Sequence, residues 1–293
     1  MRVLVLGGSG LLGARLVEQY VEKGCEVAYT YNRNKLEVEG AEAVRLDAMD
    51  YDAAGRAVAE AEPDLVIDTV AHPSVDFCET DKIDAYRINV ASCEAAAVAA
   101  RELGAKLVFI SSTFVFGNRE KPVTEADTPD PISHYGVLKL LGEQSAKICP
   151  DHLILRTDQI YGWSRPGQKK SFVEGLLEKF EKGGKIEVCR DWYNRPTHVE
   201  DLALALIKLV EKEKSGIYHC VGGTFLSRVE WAKRIAKAFG EDESLIVPID
   251  SAKLKLPARR PKCDVSNAKL EKECGIRMRG VDAAMKEMAE SRP

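Results

Sequence analysis

A chain of 293 residues with 45% apolar side chains holds one large or two modest domains around a sizeable core. Its formal net charge of −4 argues against a nucleic-acid partner, and no apolar run approaches the ~18 residues a membrane span needs. The eight cysteines form no C-x-x-C pair, which reads as reduced thiols in a cytoplasmic protein with no metal cluster.

Met1 leads directly into the apolar run Arg2–Leu6, so no leader is expected. That run reads as a buried strand. It opens onto Gly7-Gly-Ser9-Gly10-Leu11-Leu12-Gly13 and then a helix marked by Leu12, Leu16, Val17 and Tyr20. A glycine-rich turn between strand and helix is the layout that sets a dinucleotide pyrophosphate on a helix N-terminus. Gly7 allows the tight turn, Gly10 clears the approach to phosphate, and Gly13 lets the helix pack closely.

Further strands are expected at Glu26–Tyr31, Ala43–Leu46, Leu65–Thr69, Lys106–Ser111 and His152–Arg156. Helical periodicity marks Ala85–Leu103 and Val137–Ile148. This alternation predicts an α/β fold, a doubly wound parallel sheet with helices on both faces and ligands beyond the carboxyl ends of the strands. After residue 160 the pattern turns irregular: a polar loop Gly162–Lys170, a helix Ser171–Lys182, a strand near Ile186–Val188 and a helix Leu202–Lys212. A strand Gly216–Cys220 and a helix Ser227–Phe239 with Ser227 as N-cap follow. Residues 1–160 are expected to form the dinucleotide-binding Rossmann domain, with 197–220 returning to it. Residues 161–196 and 221–293 are expected to form a smaller α/β substrate lobe.

Tyr135-Gly-Val-Leu-Lys139 places a phenol and an ammonium on one helix face. Many helices carry this spacing by chance. An adjacent ammonium is expected to lower the phenol pKa and make a tunable acid or base. The strand Val108-Phe-Ile-Ser-Ser112 ends in hydroxyls that can hold a carbonyl oxygen beside that phenol. The second strand ends Tyr31-Asn32-Arg33-Asn34 without the carboxylate that binds an NAD ribose, and Arg33 suits a 2′-phosphate, so NADP(H) is the expected cofactor.

Taken together, these motifs resemble the extended short-chain dehydrogenase/reductase family, whose Ser/Thr, Tyr-x-x-x-Lys triad maps onto Ser112, Tyr135 and Lys139. Ala71-His-Pro-Ser-Val-Asp76-Phe-Cys-Glu79, Arg156-Thr-Asp-Gln-Ile-Tyr161-Gly162, Arg195-Pro-Thr-His-Val-Glu-Asp201 and the late Arg260-Pro-Lys-Cys-Asp-Val-Ser266 resemble dTDP-4-dehydrorhamnose reductases over nearly the whole chain. The similarity extends to the regulatory beta subunit of methionine adenosyltransferase. The resemblance implies that Asp47 and Ala48 lie at the adenine and that Val70, Ala71 and His72 line the cofactor. It also implies that Val75, Thr113, Phe114, Gln159 and Arg195 face the sugar. Thr113, Phe114 and Gln159 depart from the family's aspartate, tyrosine and tryptophan, which alters the substrate wall.

The implied activity is NADPH-dependent reduction of the C4 keto group of a nucleotide-linked 4-keto-6-deoxy sugar. A same-family epimerase and a non-catalytic NADP-binding regulatory subunit are the alternatives. The expected partner is the nucleotide sugar, without nucleic acid or membrane; a homodimer is allowed. His72, His134, His198, Asp76, Glu79, Trp163, Trp192 and Tyr193 have structural readings as good as functional ones.

Overall fold

The computed structural model describes residues 1–293. Seven parallel strands form the central sheet: β1 (Arg2–Leu6), β2 (Glu26–Tyr31), β3 (Ala41–Arg45), β4 (Leu65–Asp68), β5 (Lys106–Ser112), β6 (His152–Thr157) and β7 (Gly216–His219). Their order is 3-2-1-4-5-6-7. β1 pairs with β2 on one side and β4 on the other, so the winding reverses at β1/β4 and opens a crevice at the strands' carboxyl ends.

Alternation along the strands decides which helix covers which face. Val3, Val5, Ile67, Val108 and Leu153 point to the face covered by the helices Leu11–Glu22 and Val199–Glu211. Leu4, Leu6, Val66, Leu107 and Ile154 point to the other, where the helices Ala53–Ala61 and Ser92–Leu103 pack. A third core lies apart from the sheet, where Leu176 and Phe180, Trp231 and Ile235, and Val281 and Met285 meet from three helices. Capping boxes start two of these helices, at Ser171 with Glu174 and at Ser227 with Glu230. No helix is long and apolar enough to cross a membrane, all eight cysteines are free, and no cluster of His, Cys, Asp or Glu is placed to hold a metal ion.

The observed elements differ from expectation in several places. β3 begins at Ala41, earlier than the apolar pattern suggests, because backbone pairing with β2 carries it. β5 runs one residue further and includes Ser112. The helix expected over 85–103 is broken by a five-residue π-turn, Arg87–Ala91. The alanine-rich helix Ala53–Ala61 was not anticipated; it packs on its neighbour Ser92–Leu103.

A buried ionic cluster ties the sheet to the helix His134–Ala146. Glu143 accepts Arg156 Nε and Nη2, both at 2.8 Å, and the Ser111 hydroxyl at 2.7 Å. At the end of β7, burial and the Arg156 charge push the His219 pKa from its ordinary 6.5 to about 3. A base whose folded pKa is depressed stabilises the fold above its unfolded pKa, and that contribution drains away as pH falls from 6.5 towards 3. Asp68 and Asp158, raised by burial to about 6, act in the opposite sense and favour the fold as pH falls from 6 towards 3.8. The variant His219→Gln should therefore lose less stability on acidification than the parent. Urea unfolding across that range checks this, and parallel curves would contradict it.

Candidate functional site

The carboxyl ends of β1, β4, β5 and β6 open into a cleft of about 800 Å³. Its floor is the turn after β1. Gly7 adopts φ +76°, and a Cβ at Gly13 would stand 2.4 Å from the Gly7 carbonyl oxygen, so only glycine lets the helix Leu11–Glu22 seat on the turn. Gly10 occupies the N-cap position and no side chain caps this helix, which leaves its first amides free to take an anion. At the end of β2 the wall is Asn32, Arg33 and Asn34, without a carboxylate. Uncapped amides beside this basic corner fit a dinucleotide carrying a 2′-phosphate.

The opposite wall holds the hydroxyls. Ser112 ends β5, and its Oγ accepts the Phe114 amide at 3.2 Å. Ser133 caps the next helix by accepting the Gly136 amide at 3.2 Å, which sets Tyr135 in the first turn and Lys139 one turn later, both lining the cleft. Burial drives the Tyr135 pKa well above its ordinary value of 10.0, and a hydrogen bond with Ser112 pulls the other way. This corrects the expectation that Lys139 lowers it. Lys139 is itself buried and held below its ordinary pKa by desolvation, and its Nζ donates to the Ile110 carbonyl at 3.0 Å. Among the carboxylates, Asp68 at the end of β4 does most to favour its charge.

The end of β6 closes the site. Burial raises Asp158 to about 6, although it accepts the Arg195 amide at 2.8 Å and Asn194 Nδ2 at 3.2 Å. Gln159 follows in the left-handed region at φ +37°, an uncommon conformation for a non-glycine residue and one often found at a ligand wall.

Of the residues singled out from sequence, the cleft brings together Ser9, Gly10, Leu11, Leu12, Gly13, Asn32, Arg33, Ala71, Val75, Ser112, Phe114, Tyr135, Lys139 and Gln159. Others stand back from its wall. Asp47 accepts the Met49 amide at 3.0 Å, Ala48 is buried, and Val70 packs against the sheet core. His72 stacks on Phe77 with ring centroids 3.8 Å apart, and burial followed by the Lys169 charge lowers its pKa. Thr113 is buried, while Arg195 pairs with Asp264 and donates to the Gly222 carbonyl.

Asp76 pairs with Arg260, and Glu79 accepts the His134 amide, so both serve packing between segments. Thr69, Asn34, Asp158 and the loop residues Gln168 and Lys169 also line the cleft and were not singled out as site residues. The only sequence sign of the loop residues was a glycine followed by a short basic run.

The model of the RmlD substrate binding domain matches residues 1–292. The spore coat polysaccharide biosynthesis protein SpsK of Bacillus subtilis (strain 168) is 31% identical over 293 residues, covering 99% of this chain and 98% of that protein. A dTDP-4-dehydrorhamnose reductase of Mycolicibacterium smegmatis is 30% identical, covering 94% and 80%. The methionine adenosyltransferase 2 subunit beta of Rattus norvegicus is 29% identical, covering 92% and 80%. The solved dTDP-4-dehydrorhamnose reductase of Bacillus anthracis in complex with NADP superposes with a TM-score of 0.84 at 27% identity, covering 98% of both chains.

Proposed function

Because the chain belongs to the RmlD substrate binding domain family, we propose that it is an NADPH-dependent reductase of the C4 keto group of a nucleotide-linked 4-keto-6-deoxy sugar. The observation that carries this reading is the placement of Ser112, Tyr135 and Lys139 on one wall of a cleft whose floor is an uncapped helix N-terminus. The relatives named as reductases, and the NADP held by one of them, support it.

The dinucleotide supplies hydride to C4 when bound. This chain's residues manage the oxygen that becomes an alkoxide. Tyr135, a phenol whose pKa burial raises further above 10.0, is protonated at neutral pH, and its O–H is the proton source beside that oxygen. Ser112 donates a hydrogen bond to the same oxygen and fixes the carbonyl's direction. Lys139 spends one N–H on the Ile110 carbonyl, which leaves two for the ribose hydroxyls. Phe114 and Gln159 wall the sugar side and set which sugar fits.

Loss of NADPH absorbance with a dTDP-4-keto-6-deoxy sugar, beside NADH and a sugar-free control, tests the reading. Tight dinucleotide binding without oxidation of NADPH would favour a regulatory subunit instead. Arg33→Ala should narrow the preference for NADPH over NADH by roughly 10- to 150-fold, the span of a charge-assisted hydrogen bond worth about 1.5–3 kcal/mol. Titration of both dinucleotides checks it; an unchanged ratio would remove Arg33 from the phosphate.

A further inference from the structure

The loop between Gly162 and Ser171 leaves the substrate side of the molecule and lies across the sheet side. Three hydrogen bonds from two side chains pin it there. Asn34, at the end of β2, donates Nδ2 to the Gly167 carbonyl at 2.6 Å. Gln168 donates Nε2 to the carbonyls of Ser9 and Gly10, both at 3.0 Å, and its Oε1 accepts the Arg165 amide at 2.9 Å. The loop therefore spans the corner from the basic end of β2 to the glycine-rich turn.

Three cations travel with this loop, and two are engaged elsewhere. Arg165 pairs with Glu18, and Lys170 pairs with Glu178. Lys169 lines the cleft next to the residue that grips Ser9 and Gly10. Those two residues immediately precede the uncapped amides of the helix Leu11–Glu22, so the Gln168 contacts hold the segment carrying Lys169 at the edge of that turn, and the Lys169 charge is felt at His72 across the cleft.

We propose that residues 164–170 form a strap that brings Lys169 onto the dinucleotide pyrophosphate, with Gln168 as the latch that holds it there. The inference rests on the reading of the cleft as a nicotinamide dinucleotide site. It adds a cation from the substrate lobe to a phosphate site that the sheet domain otherwise builds from amides alone. The latch ties cofactor retention to a contact between the lobes.

Equilibrium titration without any sugar tests this on the full chain, with NADPH, NADH and adenosine 2′-monophosphate as probes. Lys169→Gln should weaken NADPH and NADH by the same factor, roughly tenfold at the lower end for a charge-assisted hydrogen bond, and leave adenosine 2′-monophosphate unchanged. Gln168→Ala should speed NADPH dissociation several-fold in stopped flow and open the strap to trypsin at Lys169 and Lys170. Equal affinities in parent and Lys169→Gln would overturn the strap. A loss confined to NADPH and adenosine 2′-monophosphate would also overturn it, by moving the charge to the 2′-phosphate. If the parent bound neither dinucleotide, the functional reading would fall together with the strap; if it bound both and the variants behaved alike, only the strap would fall.

Discussion

Tyr135→Phe should lose at least ~100-fold in turnover, the low end for a general acid, and keep its affinity for NADPH. The substitution removes one oxygen and leaves the ring, so the edge-on contact with Phe114 at 5.6 Å between centroids survives. The start of the helix is also untouched, because Ser133 caps it through the Gly136 amide. What disappears is the proton. Burial holds this phenol protonated, and Ser112 is the hydroxyl beside it. Ser112 is no substitute, since a serine hydroxyl does not give up its proton to form a stable anion near neutral pH. Single-turnover oxidation of NADPH with saturating sugar isolates the chemical step, and turnover near that of the parent would sink the assignment of Tyr135.

The second large effect is on stability. Glu143→Leu should cost about 3–5 kcal/mol, the range for breaking a buried ion pair by removing one partner. Both side chains are inaccessible, at 2% and 1% exposure for Arg156 and Glu143. Arg156 Nη1 already has no partner, so without the carboxylate the guanidinium keeps only its place over the Phe116 ring. The Ser111 hydroxyl would lose its acceptor as well. A drop in melting temperature of roughly 10 °C is expected for a chain of this size, and thermal unfolding followed by circular dichroism reads it. The double variant Glu143→Leu, Arg156→Met should recover part of the loss, because the desolvated charge goes with its partner. A melting temperature within a degree of the parent in the single variant would show that the pair contributes nothing.

What could be read from the residues alone follows from how local each signal is. β1 and β2 were bounded to the residue because apolar runs end at a glycine turn or a polar cluster. Ser227 was legible as a cap because Glu230 completes the reciprocal bonds within four residues. Ser112, Tyr135 and Lys139 were grouped through the resemblance to a family triad, and all three line one cleft. The π-turn at Arg87–Ala91 was hidden, since it keeps the helical periodicity on both sides. Spacing shows that Lys139 shares a face with Tyr135, but not that the phenol is buried, and burial is what raises its pKa. Gln168 was missed for the plainest reason: its partners are 158 and 159 residues distant in the chain.

The edge strand Gly216–His219 has a consequence for how the protein is made. It completes the sheet beside β6, and the helix before it supplies Leu202, Leu206 and Leu209 to the core that β1 begins. β1, made before the other strands of this sheet, therefore waits for the last third of the 293 residues before its apolar face is sealed. Synthesis of the stretch between residue 160 and the end of that strand alone takes several seconds. During that interval a nascent chain carries an open sheet edge and a bare patch of valine and leucine, the kind of surface that chaperones at the tunnel exit bind.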